Sequence, residues 1–228
     1  MKNDEENAAR KALEDARLFR ESGDFEKALE RHEWFHHHAL SICPSLYGVR
    51  LSFALADWKR LGDEYSLALA SMRATREQGL MELFERTASR EIFHDVSSIN
   101  SQLGEDDLTL ALFKEIHEHD PALALKCFRI VQDILLEEKE VELLIEYAGS
   151  LRSHLQVKIE QHQELRGYLQ SQDGSGMAPA LKRFDETLIN TALQLIEIAR
   201  EGGNTELEVE LREIALKVIE DPRLELAE

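Results

Sequence analysis

A turn signal that recurs along this chain limits what it can fold into. Gly23-Asp24-Phe25-Glu26-Lys27-Ala28-Leu29-Glu30 is followed by Leu61-Gly62-Asp63-Glu64-Tyr65 and by Leu103-Gly104-Glu105-Asp106. A fourth turn, without glycine, is expected at Glu137-Glu138-Lys139. The glycines stand 39 and 42 residues apart, and the step from Gly104 to Glu138 is 34. Each signal separates two segments whose apolar residues recur at helical spacing. One helix–turn–helix unit cannot bury its apolar face alone, so repeating it demands that neighbours stack. The expected architecture is an all-α solenoid, a form that offers surface for binding rather than a reactive centre.

The helices read as follows. Ala8, Ala12, Leu13, Ala16 and Phe19 stripe a first helix that ends at Ser22-Gly23. A second starts near Asp24, an acceptable N-cap, and carries Ala28, Leu29, His32, Phe35, Ala39 and Leu40 until Pro44 stops it. Leu46, Leu51, Leu55 and Trp58 mark a third, ending at Gly62. Tyr65, Leu69, Met72 and Ala74 mark a fourth, closed near Gly79. Ile92 to Leu103 and Leu108 to Ile116 form the next pair, stopped by Asp120-Pro121. Leu123 to Leu136 and Val141 to Ala148 make a further hairpin. Beyond it come a polar helix over 151–170, a loop Ser171-Gln172-Asp173-Gly174-Ser175-Gly176, a periodic helix from Leu181 to Ala199, and a last helix from about Glu206 to Ile219. No alternating strand pattern competes with the helical one. Residues 1–150 are thus expected as hairpins, and 151–228 as helices that continue and cap them in one elongated domain.

Composition narrows the partner. Lys and Arg number 27 against 45 Asp and Glu, a net charge of −18. Phosphate backbones demand clustered bases, so nucleic acid is not the expected partner. No run nears the ~20 apolar residues of a membrane span. Met1-Lys2-Asn3-Asp4-Glu5-Glu6 is polar, unlike a secretory signal, and Cys43 and Cys127 lack a disulfide framework. Together these point to the cytoplasm.

The small and aromatic positions carry a family resemblance. With the turns aligned on Gly23, Ala16 and Phe19 take first-helix positions and Ala28 the small second-helix position. Aligned on Gly62, Leu51, Leu55 and Trp58 fall on first-helix core positions. Aligned on Gly104, Phe113 and Pro121 take the large second-helix position and the closing proline. This pattern resembles the tetratricopeptide repeat superfamily and its 34-residue unit. Its departures are a longer second helix in the first unit, extra residues in the middle units, and Glu138 in place of a turn glycine. The resemblance covers residues 8–150 well and 178–222 loosely. The whole also looks like bacterial repeat proteins of no assigned function.

What the resemblance implies is a concave face lined by the first helix of each unit, holding an extended peptide. It puts Arg10, Leu13, Arg17 and Arg20 on that face, followed by Ser52, Phe53, Ala56, Lys59 and Arg60. His94, Asp95 and Ser98 come next, and then Phe128, Arg129 and Gln132. Charge agrees: residues 9–22 hold four bases against three acids, whereas 104–120 and 133–147 each hold six acids against one Lys. Residues 201–228 hold nine acids against three bases. A protein or peptide client bearing carboxylates, gripped by arginine forks, is the expected partner. The competing reading gives these bases to acids on neighbouring helices. A chaperone or adaptor role follows from the low isoelectric point of about 4.9 and the resemblance.

Two constellations suggest chemistry instead. His32-Glu33-Trp34-Phe35-His36 matches the H-E-x-x-H pattern, in which two His at i and i+4 reach one zinc and the Glu activates water. Ala39 and Ile42 stand where an extended motif needs Gly and His, and a third ligand would have to be an acid such as Glu85 or Glu91. His32 also falls on the family's buried position, so both rings are expected at helix–helix packing. A zinc-dependent hydrolase is therefore the alternative, and no cofactor is the main expectation. His94, Asp95 and Ser98 lie on one helix, which cannot align a nucleophile, base and acid by itself.

Overall fold

The computed structural model describes residues 2–85, 89–171 and 178–225, with the side chains of 2–6, 85 and 170 left aside. Among the described residues every regular element is a helix, so the chain is all-α. It divides into two compact units, Met1–Ile130 and Val131–Glu228. The boundary falls inside a helix, and residue 150 lies within the second unit.

The first unit holds α1 (Lys2–Glu21), α2 (Phe25–Ile42), a short 3-10 turn (Pro44–Leu46), α3 (Tyr47–Leu51), α4 (Phe53–Glu64), α5 (Ser66–Glu85), α6 (Arg90–Leu103), α7 (Asp106–His119) and the start of α8 (Pro121–Glu137). α1 packs on α2 and α4; α4 packs on α2, α5 and α6; α6 packs on α5 and α7. Small residues allow the first contact. Ala9 and Leu13 of α1 meet Phe35 and Ala39 of α2 together with Leu46 and Ala54. A second cluster joins Ala28, Leu55, Trp58, Leu61, Ala68, Met72 and Ile99, so α2, α4, α5 and α6 share one core.

The second unit contains the end of α8, α9 (Val141–Ala148), α10 (Leu151–Gln170), α11 (Ala178–Glu201) and α12 (Thr205–Leu216). α10 packs on α9, α11 and α12, and α11 on α12. Leu155, Leu195, Leu211 and Ala215 are fully buried there. Ser150 and Asn204 cap α10 and α12 by accepting from Ser153 N and Leu207 N. Buried Arg212 donates to the Leu224 carbonyl, which ties the chain's last described stretch to α12.

Three of the four turn signals are real turns of one type. At Gly23 the N–H bonds Arg20 O while Asp24 N–H bonds Phe19 O, and at Gly104 the same pair runs to Ser101 O and Asn100 O. At the glycine-free turn Lys139 N–H reaches Leu136 O and Glu140 N–H reaches Leu135 O. Gly203 adds a further example, with bonds to Arg200 O and Ala199 O. Each central residue is left-handed, with φ of 80°, 71°, 55° and 69° respectively. This closure satisfies carbonyls at the helix end, and glycine suits it because it lacks a Cβ. The left-handed position of the fourth turn is Lys139, not Glu138.

Gly62 and Gly79 are different. Gly62 lies inside α4, which runs to Glu64, and Gly79 lies inside α5, which continues to Glu85. Both glycines serve close packing. A Cβ on Gly62 would sit 2.6 Å from Leu69 Cγ and Cδ2, and one on Gly79 would sit 2.9 Å from Val96 Cγ2. The contrast with Gly48, around which nothing lies within 4 Å, gives a clean test. Gly48→Ala is expected to stabilise the first unit by about 0.5–1 kcal/mol through helix propensity. Gly62→Ala is expected to destabilise it by ~1–2 kcal/mol, because overpacking outweighs that gain. Denaturant unfolding followed by tryptophan fluorescence reads both, since Trp34 and Trp58 lie in this unit.

Other boundaries also moved. The expected helix from Leu46 to Gly62 is broken at Ser52, whose φ and ψ of −123° and −87° leave the helical region. Its hydroxyl bonds back to Gly48 O instead. Asp24 stands at the N-cap of α2 without capping it, because its carboxylate takes Lys27. Asp120 is both a stop and a cap: its Oδ1 accepts from Leu123 N in the first turn of α8. The last helix ends at Leu216 rather than Ile219. The loop Gly174-Ser175-Gly176 lies outside the described residues.

Candidate functional site

Helices α1 and α4 bring together four of the basic residues expected on a binding face. Arg17 Nε donates to Asp57 Oδ2 at 2.7 Å, and Arg60 donates to Asp57 Oδ1 at 2.5 Å. Asp57 is thus a buried carboxylate held between two guanidinium groups that themselves stay largely exposed. Arg20 reaches Glu64 at 2.5 Å, and Lys59 pairs with Asp63 one turn on. Arg17 and Arg20 thus pair with acids of the adjacent α4, whereas Lys59 and Arg60 pair within α4 itself. Pairing at an exposed surface is worth about 0–1 kcal/mol. It also fixes the direction of the forks, leaving further N–H groups on Arg17 and Arg60 for a ligand.

Phe53 stands in the same place for the opposite chemical reason. It opens α4 directly after the break at Ser52 and is 69% exposed. Phe53, Asp57 and Arg60 fall at i, i+4 and i+7, so an apolar ring and a cationic pair share one helix face. Arg10 and Arg129 are also exposed, on α1 and α8. Leu13, Phe128 and Gln132, assigned to the face by the resemblance, are instead buried. Leu13 belongs to the core beneath α1.

Of the next three positions, His94 and Asp95 enter a polar network. Arg50, only 7% exposed, sends its Nε to the His36 carbonyl at 2.6 Å. Its two terminal nitrogens grip Asp95 at 2.5 and 2.7 Å, and one also lies 3.2 Å from His36 Nε2. One side chain of α3 therefore joins α2 to α6. Tyr47 Oη and His94 Nδ1 share a hydrogen bond of 2.8 Å beside it. His94 and Asp95 consequently answer to Tyr47 and Arg50, and Ser98 is half-buried nearby in sequence, so no catalytic relay forms among the three. Neither Arg50 nor Asp57 carried a sequence signal, because a lone Arg or Asp on a helix reads as a solvated charge.

The H-E-x-x-H pair sits inside the core as expected. His32 and His36 are 2% and 5% exposed. His32 stacks on Trp58 with centroids 6.2 Å apart, and His36 meets the same indole edge-on at 5.7 Å. Burial pushes His32 down to about 4 and His36 to about 3, where the Arg50 charge adds to the effect. His37 and His94 are lowered as well, chiefly by burial. Arg50 can only donate, so His36 Nε2 must accept, which occupies the lone pair a metal would need. Glu33 accepts from Ser71 Oγ. Glu91 is in the first turn of α6, and the side chain of Glu85 lies outside the described atoms. Among the described residues no three His, Cys, Asp or Glu are grouped to hold a metal ion.

The chain has two cysteines, Cys43 and Cys127. Both are free thiols; Cys127 is buried, and burial raises it to about 12, which keeps it protonated. No helix among the described residues is long and apolar enough to cross a membrane. No protein-family model, curated protein or solved structure matches the chain.

Proposed function

We propose that this chain is a protein-interaction module of tetratricopeptide-like hairpins, and that the first helices α1, α4 and α6 present its binding face. The contact pattern supports the reading. α1 packs on its own second helix α2 and on the next first helix α4; α4 repeats this with α5 and α6. Stacking of first helix on first helix is how repeated hairpins build a continuous face. The turn geometry shared by Gly23, Gly104 and Lys139 supports it further.

The observation that carries the functional reading is Phe53, a large exposed ring beside the Arg17–Asp57–Arg60 arrangement. A ring in water next to preset guanidinium groups fits a client segment with an apolar side chain flanked by carboxylates. The role is that of an adaptor or chaperone for such a segment, acting by capture and not by chemistry. Selection from a random peptide display library tests this. Enriched peptides are expected to pair an apolar residue with acids, and to bind about tenfold or more weakly to Phe53→Ala, as for a truncated anchor. Failure to enrich any peptide, or binders indifferent to both Phe53→Ala and Arg60→Glu, would contradict it.

A further inference from the structure

Helix α5 has more than one apolar face, and one of them is uncovered. Met72 is buried in the core that α5 shares with α4 and α6, whereas Met81 and Phe84 remain 59% and 52% exposed. A helix apolar on more than one side needs a partner on each. Glu77, Leu80, Met81 and Phe84 fall at i, i+3, i+4 and i+7, so the open residues share one face. α7 supplies a facing wall. Leu108, Ala111, Leu112 and Glu115 repeat the same spacing, and with Leu80 and Phe84 they line a groove of about 340 Å³. α6 contributes its floor through the buried Asn100. Two helical ridges, each about two turns long, thus flank one helical floor.

The charge around this groove is one-sided. Arg76 is the one base among its lining residues, and it is buried and already committed. Its guanidinium donates to Glu77, to Glu105 and to the Asn100 side-chain oxygen. The acids of α7 differ. Glu115 lines the groove, and Asp107 and Glu118 stand on the same helix face at i−8 and i+3 from it. All three are exposed, and none has an ion pair among the described residues. An apolar trough therefore runs beside a row of unpaired carboxylates.

From this arrangement we infer that the groove docks an amphipathic helix of a partner protein, apolar on one face and basic along its edge. A trough between helical ridges receives a helix through anchors at i, i+3 or i+4 and i+7, and two turns of ridge match that spacing. Leu80, Phe84, Leu108 and Leu112 cover the anchors. The carboxylates of α7 set the sign of the edge, because Lys or Arg there is attracted and Asp or Glu repelled. The net charge of −18 opposes a second copy of this chain as the occupant. The site uses α5 and α7 and does not rest on the peptide face proposed for α1, α4 and α6.

Fluorescence anisotropy of the full chain with a synthetic leucine–lysine peptide, patterned as one apolar helix face over about four turns, tests the proposal. Saturable binding is expected. A scrambled peptide of the same composition, and one with glutamate in place of lysine, should each bind at least about tenfold more weakly. Phe84→Ala should weaken binding about tenfold, as for a truncated anchor, and Glu115→Lys about fivefold. Both side chains are exposed, so these variants keep the fold, which circular dichroism checks. Leu67→Ala removes another exposed side chain of α5, outside the groove, and should leave the affinity unchanged. No saturable binding, equal binding of the scrambled peptide, or wild-type affinity in both groove variants overturns the site. A concentration-dependent dimer that Phe84→Ala abolishes would overturn it too, by making the groove an interface between copies.

Discussion

Moving from neutrality to about pH 5 is expected to destabilise the first unit by ~4 kcal/mol, a large share of the 5–15 kcal/mol typical of a domain. The cause is the buried pair His32 and His36. Their ordinary value of 6.5 falls to about 4 and about 3 in the folded chain. Above 6.5 both states are neutral and the stability is fully present. Below it the unfolded chain takes up protons that the folded core refuses, so stability falls with pH until the folded values are reached. Each ring contributes about 2 kcal/mol by about pH 5. His37 and His94, lowered in the same sense, add to the loss. Tryptophan-monitored unfolding across this range measures it. His32→Phe keeps a ring against Trp58 and should lower the slope by one proton, ~1.4 kcal/mol per pH unit. Constant stability between neutrality and about pH 5, or an unchanged slope in His32→Phe, would show that these rings are not buried neutral.

The second large effect comes from the Arg50 bridge. Asp95→Ala is expected to cost about 3–5 kcal/mol, because it leaves a buried guanidinium with only the His36 carbonyl and ring nitrogen as partners. Arg50→Met should cost less, ~1–2 kcal/mol, since it removes the buried charge and leaves the partly exposed Asp95 to water. The direction of this asymmetry is the test. Equal costs, or a larger one for Arg50→Met, would mean that the pair is effectively at the surface. The bridge also bears on function, since Arg50 joins α3, α2 and α6 and so fixes how the helices of the proposed face meet.

How much of this was legible in the sequence depends on the kind of residue. Helix periodicity with Pro and Gly at the breaks placed α2, α6, α8, α9 and α10 within a few residues, because one apolar face per helix is a local property. Packing registers were legible where a small residue set them, as at Ala28, from which the buried positions of His32 and His36 followed. Glycine was ambiguous. Gly23 and Gly104 relax a left-handed turn, whereas Gly62 and Gly79 remove a side chain from a helix crossing, and the two uses look alike in one dimension. Lys139 shows the converse, a left-handed position without glycine. Charges were the least legible. Arg17 and Asp57 are 40 residues apart, and their pairing needs the α1–α4 contact, which no local pattern encodes. Arg50 looks solvent-facing in sequence and is buried in the fold.

Mapping a display-selected peptide onto the isotope-labelled protein by NMR tests the central proposal most directly. Amide shifts are expected to concentrate on α1, α4 and α6, with Phe53, Asp57 and Arg60 among the largest. Shifts confined to α2, α5 and α7, or to the second unit, would contradict a binding face built from the first helices.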